Sequence, residues 1–289
     1  MRKILITGSK GQLGRALEKA LGEEYRLYLY DIEELDIADE CATMEAVGKI
    51  KPGCVINCAA YTRVDDCESH SGLAKRINAE GAGNVSKAAA AIGAEVFQIS
   101  TDYVFDGEGM KGKDGSIRPY TEKDKPGPVS VYGRTKLEGE MLSASENPRH
   151  CIIRTAWLYG EGHNFVRTML RLGKTGGTVR VVDDQTGCPT SADELARAIK
   201  RMIFTRRYGI YHAVCGGMCT WYAFAKKIFE LTGIPVNLVS IASSDYPTPA
   251  KRPKYSVLDT TALERDFGYR LAKWEDALAE YIRNGSGIL

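Results

Sequence analysis

The chain has 289 residues, 44% hydrophobic and 26% charged, a globular balance that argues against a disordered chain. Lysine and arginine number 39 against 37 aspartates and glutamates, so a net charge of +2 gives no global reason to expect nucleic acid or an anionic membrane as partner. No apolar run approaches the ~18 residues that span a bilayer, and the opening MRKILITGSKGQLG lacks a signal-peptide core, so the expectation is a cytoplasmic protein with no membrane partner.

Residues 3–7, KILIT, form a short apolar run with a glycine-rich stretch behind it. From Gly11 onward, Leu13, Ala16, Leu17, Ala20 and Leu21 recur at helical spacing. A β-prone run, 25–30, ends at Asp31. The pattern then predicts a helix over 40–50 stopped by Pro52-Gly53, a strand over 54–58, a helix over 73–91 and a strand over 95–100. A helix over 132–145 and a strand over 151–155 follow. Short, nearly all-apolar strands alternating with helices predict an α/β fold, a Rossmann-like doubly wound parallel sheet covered on both faces.

Beyond Trp157 the rhythm loosens. A helix is predicted over 164–173, a strand over 178–182 and a loop over 184–191, where Thr190, Ser191 or Asp193 could cap a helix over 192–204. A strand over 209–214, a helix over 220–232, an extended proline-containing stretch over 243–256 and a helix over 274–282 complete the chain. The loop 106–128, with five glycines and three prolines, is long enough to be functional or mobile. The expected organisation is a nucleotide domain over 1–156, to which 190–215 return. A smaller substrate domain, built mainly from interleaved segments of 157–289, would cap it.

Three motifs carry chemistry. In Thr7-Gly8-Ser9-Lys10-Gly11-Gln12-Leu13-Gly14, the glycines are spaced three and three between a strand and a helix. Gly8, Gly11 and Gly14 allow a tight turn and close approach to a pyrophosphate, and the helix N-terminus offers free N–H groups. A plain strand-to-helix turn would use the same residues. Asp31, ending the second strand, suits the ribose hydroxyls and favours NADH, whereas Lys10 and Arg15 could attract the 2′-phosphate of NADPH. In Tyr132-Gly133-Arg134-Thr135-Lys136, Tyr and Lys share a helix face, so an ammonium lies beside a phenol whose reference pKa is about 10. Thr101 and Asp102 follow the strand 95–100, at the end of the sheet where ligands sit, although both also suit a helix cap or turn. Trp157 follows the strand 151–155, where it is either core or site wall. The eight cysteines need no disulfide framework in such a chain. Cys54 and Cys58, like Cys215 and Cys219, are four apart rather than at the C-x2-C spacing zinc prefers, so buried thiols are expected.

Together TGxxGxxG, STDYVF and YGxTK resemble the extended short-chain dehydrogenase/reductase family. NCAAYT at 57–62, RTAWLYG at 154–160, DDQTGCPT at 183–190 and RPKYSVLDTT at 252–261 resemble, more narrowly, its dTDP-4-dehydrorhamnose reductase branch. The resemblance implies reduction of dTDP-4-dehydro-β-L-rhamnose to dTDP-β-L-rhamnose by hydride transfer from NADPH or NADH. By family role Tyr132 is the general acid, Lys136 lowers its pKa and holds the nicotinamide ribose, and Thr101 bonds the reacting oxygen. Asp102 and Trp157 contact the sugar. Gly11, Gln12, Leu13, Asp31, Asp36, Ile37, Ala60, Tyr61 and Thr62 line the cofactor. Some relatives dimerise through magnesium bound by glutamates, one of them just after the glycine turn. Arg15 stands there, so no metal is carried over, and a homodimer would not be metal-bridged. Competing readings are another nucleotide-sugar reductase or epimerase, or a non-catalytic regulatory subunit like the methionine adenosyltransferase β-subunit.

Overall fold

The structure, a computed structural model, describes residues 1–112 and 115–284. Its first half alternates Lys3–Thr7 (β1), Gln12–Leu21 (α1), Arg26–Tyr30 (β2), Glu40–Ile50 (α2), Cys54–Asn57 (β3), Gly81–Ala91 (α3), Glu95–Thr101 (β4), Val131–Glu146 (α4) and His150–Thr155 (β5). Its second half contains Phe165–Thr175 (α5), Thr178–Val182 (β6), Ala192–Met202 (α6), Gly209–His212 (β7), Trp221–Thr232 (α7), Asn237–Ile241 (β8) and Trp274–Asn284 (α8). Six strands form one parallel sheet in the order β7-β5-β4-β3-β1-β2. The period of two along each strand divides its apolar residues between two helix layers. Ile4 and Ile6 pack with Leu13, Leu17, Leu195 and Ile199. Leu5 packs with Val47, Val85 and Val96 on the other face. The architecture is therefore doubly wound, and β7 joins the sheet from far along the chain.

After β1 the chain steps outward to β2 and returns on the other side of β1 as β3. The connections diverge there, which opens a crevice beyond the carboxyl ends of β1 and β3. The later segments roof this end of the sheet. Here β6 pairs in parallel with β8, a strand the periodicity does not predict.

The helix predicted over 73–91 is three pieces, Ser71–Lys75, a π-helical turn Arg76–Glu80, and α3. Within the π turn, the Asn78 amide accepts from the Tyr61 N–H at 2.8 Å and donates to the Tyr61 carbonyl at 3.1 Å and to Thr135 Oγ1 at 3.2 Å. Bending the helix toward these partners ties three segments together. The loop 106–128 is partly built: Met110–Lys111 pairs with Ile117–Arg118, Tyr120 stacks on Phe105, and Arg118 pairs with Asp124 at 2.7 Å. Its residues 113 and 114 lie outside the described residues, as do 285–289. Of the expected caps on α6, Ser191 holds the N-cap position without a side-chain cap bond, and Thr190 Oγ1 donates to the Cys188 carbonyl instead.

Candidate active site

A cleft of about 910 Å³ lies over the carboxyl ends of β1, β3, β4 and β5. Its floor at one end is backbone. Gly8 has φ +65°, and a Cβ there would lie 2.6 Å from the Ala59 nitrogen. A Cβ on Gly14 would lie 2.5 Å from the carbonyl oxygens of Gly8 and Ser9. Only glycine lets the turn press on the end of β3 and α1 press on the turn. No side chain caps the start of α1, and no acidic residue stands in its first turn. The positive end of that helix is thus open to an anion, and a dinucleotide pyrophosphate fits this cradle.

Beside the turn, Asp31 accepts hydrogen bonds from the N–H groups of Lys10 (2.8 Å) and Ile32 (2.9 Å). Lys10 Nζ lies 2.8 Å from Glu33 and 3.8 Å from Glu34. Arg15 donates to the Lys10 carbonyl and pairs with Glu161 at 3.2 Å. Both cations offered to a 2′-phosphate already face carboxylates.

At the other end, the Ser130 hydroxyl caps α4 by accepting from the Gly133 N–H at 3.1 Å. A Cβ on Gly133 would lie 2.1 Å from the Tyr103 carbonyl oxygen, so α4 starts hard against the 102–104 turn. That contact sets Tyr132 beside Thr101 and Asp102. Lys136, one turn along, donates from Nζ to the Ile99 carbonyl at 2.6 Å. Burial lowers its pKa to about 8 against the opposing pull of Glu140. Burial, then the neighbouring Asp102 charge, pushes the Tyr132 phenol above its ordinary range, and a hydrogen bond with Thr101 pulls it partly back. A phenol held up in this way stays protonated, the state a proton donor needs.

Thr101 Oγ1 donates to Asp102 Oδ1 at 2.9 Å, while the buried Oδ2 has no partner. Burial raises Asp102 to about 6, against the hydroxyls of Ser256 and Thr101. Trp157 has φ +46° and stacks on Trp221, with ring centroids 3.5 Å apart and planes within 7°. Its other edge is flush against Gly187, where a Cβ would lie 2.5 Å from Trp157 Cε2.

The cleft lining brings together Gly8, Gly11, Gln12, Leu13, Gly14, Asp31, Asp36, Ile37, Ala60, Thr62, Thr101, Asp102, Tyr132, Lys136 and Trp157. Tyr61 is the exception. Asn78 holds its backbone from both sides and it is not part of the lining. Trp221 and His163 also line the cleft, and the sequence reading missed both. Trp221 opens a helix far from Trp157 in sequence, and only tertiary closure joins them. Cys58 lines the cleft as a free thiol pushed up to about 12 by burial, and all eight cysteines are free. Among the described residues no group of three or more His, Cys, Asp or Glu side chains could hold a metal ion, and no helix is long and apolar enough to cross a membrane.

A family model described as the RmlD substrate binding domain matches residues 1–286. A dTDP-4-dehydrorhamnose reductase of Sinorhizobium fredii is 40% identical, covering 97% of this chain and 96% of that protein. The crystal structure of a dTDP-4-dehydrorhamnose reductase from Clostridium acetobutylicum is 48% identical with a TM-score of 0.93, covering 97% of this chain and 98% of that one. The Bacillus anthracis enzyme of the same name, crystallised in complex with NADP, is 39% identical with a TM-score of 0.93, covering 98% and 99%.

Proposed function

This chain belongs to the RmlD substrate-binding family, that of the dTDP-4-dehydrorhamnose reductases, and we propose that it reduces dTDP-4-dehydro-β-L-rhamnose to dTDP-β-L-rhamnose with NADPH or NADH. The observation that carries this reading is one cleft holding both the uncapped glycine turn and the Thr101, Tyr132 and Lys136 side chains.

In this reading the N–H groups at the start of α1 hold the pyrophosphate and Asp31 holds the adenosine ribose. Asp36, Ile37, Ala60 and Thr62 form the wall alongside. Reduced nicotinamide supplies a hydride to the sugar's fourth carbon. Lys136 turns from the Ile99 carbonyl to the nicotinamide ribose. Thr101 turns its hydroxyl proton from Asp102 to the carbonyl oxygen, and Tyr132 gives that oxygen its proton as charge develops. The resulting phenolate is stabilised by the Lys136 ammonium. Asp102 offers its free carboxylate oxygen to a sugar hydroxyl, and Trp157 presents a flat face to the ring.

We further divide the molecule into a cofactor domain of residues 1–156, joined by 190–215, and a substrate domain built mainly from the rest. Eight free cysteines support a cytoplasmic setting. If a homodimer forms, Arg15, paired with Glu161, gives it no metal bridge at that position.

The test is loss of reduced-nicotinamide absorbance on adding dTDP-4-dehydrorhamnose, run with both cofactors. Turnover with product reduced at the fourth carbon supports the reading. Cofactor binding without turnover would instead support a regulatory subunit, and turnover only with another nucleotide sugar would reassign the substrate.

A further inference from the structure

Under the cleft lies a buried polar cluster that the reaction scheme does not use; Ser100 borders the cleft, whereas Glu140 and Arg154 lie outside its lining. Glu140 and Arg154 have side chains 3% and 2% exposed. Arg154 donates to Glu140 through Nε at 2.9 Å and Nη2 at 2.7 Å, and Ser100 Oγ donates to Glu140 Oε1 at 2.5 Å. A fully buried ion pair is weak evidence of stability, because removing two charges from water offsets most of their attraction. Its position is more informative. Ser100 precedes Thr101 at the end of β4. Arg154 lies at the end of β5, three residues before Trp157. Glu140 lies one turn along α4 from Lys136 and two from Tyr132.

We propose that Glu140 is a positioning residue: through Ser100 and Arg154 it locks the ends of β4 and β5 to α4. That lock keeps Thr101, Trp157 and the Tyr132–Lys136 pair in register. The proposal rests on the reductase reading and adds to it a residue that touches neither substrate nor cofactor. Arg154 is steadied further by the Phe105 ring, 5.1 Å from its guanidinium carbon, and shares a cross-strand register with His212. The groups facing Lys136 are Glu140 from its own helix, Cys58 beyond β3 and the Ile99 carbonyl of β4. Glu140 is the one carboxylate in that set, so it also favours the charged ammonium.

The test uses the triple variant Ser100→Ala/Glu140→Met/Arg154→Met. It replaces the cluster with apolar groups of similar size, a change that buried ion pairs often tolerate without loss of stability. The expected result is a folded protein whose kcat falls about 100-fold, the scale on which a small misplacement of reacting groups acts, with little change in sugar KM. NADPH binding, followed by fluorescence without substrate, should lose its alkaline limb about one pH unit lower than in the parent. A folded triple variant with the parent's kcat and binding profile would overturn the proposal. If the triple variant does not fold, Ser100→Ala decides. It cuts only the link to β4, so kcat should fall several-fold with the cofactor Kd unchanged, and an unaltered kcat overturns the proposal. A parent that does not turn over the sugar would refute the reductase reading, while the pH profile of NADPH binding would still judge Glu140.

Discussion

At the glycine-turn end of the cleft, proposed for the cofactor, the chain presents backbone, and at the Tyr132 end, proposed for the sugar, it presents side chains. The first end comes from one continuous stretch, Thr7 to Gly14, where close contacts exclude any Cβ on Gly8 or Gly14 and leave the start of α1 uncapped. The second end gathers Asp102, Tyr132, Trp157 and Trp221 from separate strands, loops and helices. A backbone site recognises what all dinucleotides share, their phosphates. A site assembled from distant side chains can be altered piece by piece, and in the proposed function it sets the sugar. The two ends should therefore fail differently when changed.

Tyr132 sits between them and should give the largest effect. Tyr132→Phe keeps the ring and its edge-on contact with Tyr103 but removes the proton donor. Turnover should drop about 100- to 10,000-fold with cofactor affinity retained. Near-parental turnover in a stopped-flow assay would remove Tyr132 as the acid. At the backbone end, Gly14→Ala places a Cβ 2.5 Å from two carbonyl oxygens that cannot swing away. Cofactor affinity by fluorescence titration should fall about 100-fold as the turn shifts, whichever nucleotide sugar is supplied. An unchanged Kd would show that the turn has slack the geometry denies.

The same contrast explains what was legible in the sequence. The glycine turn, the Tyr–Lys pair and the strand ends are local patterns, and the parallel sheet follows from short apolar strands alternating with helices. Trp221 was not legible, because nothing local separates a tryptophan starting a core helix from one stacked on a wall. The break at Asn78 was hidden for the same reason. Its cause is the Tyr61 backbone across a loop, while 73–91 reads as unbroken helix. Tyr61 shows the reverse: its motif neighbours line the cleft, while its own backbone is held by Asn78.

Asp102 sharpens the sugar end through pH. Burial penalises its charge and raises its pKa from the ordinary 3.8 to about 6. The group's contribution to stability is therefore full below about 3.8 and is lost as pH rises through 6, on the order of 3 kcal/mol in all. Asp102→Asn should flatten that part of the Tm–pH curve and leave the variant no less stable than the parent above pH ~7. Its kcat/KM should fall about 10- to 150-fold through loss of a charge-assisted bond, with the cofactor Kd unchanged. A parent-like Tm slope between these pH values would show that Asp102 is solvated rather than buried. Trp221→Ala should cost less, about 2- to 13-fold in kcat/KM, because an aromatic stack contributes roughly 0.5–1.5 kcal/mol beyond its buried area. A matching change in cofactor affinity would erase the distinction between the two ends.

The smallest effect belongs to the exposed rim of the backbone end. Lys10 is held by Glu33 at 2.8 Å, with both side chains more than half exposed, and the pair raises the Lys10 pKa while lowering that of Glu33. An exposed pair of this kind adds little to folding. It does decide where an ammonium points, and Lys10 adjoins Asp31, whose carboxylate disfavours a 2′-phosphate. Glu33→Gln keeps the side chain's shape and releases the ammonium. Affinity for NADPH should rise a few-fold relative to NADH at low salt, with Tm unchanged. Because the gain is Coulombic and solvent-exposed, it should vanish near 1 M salt, where the screening length is about 3 Å. A preference that survives such salt would mean that the 2′-phosphate is read by a direct hydrogen bond. An unchanged preference at low salt would mean that Asp31 alone governs the choice.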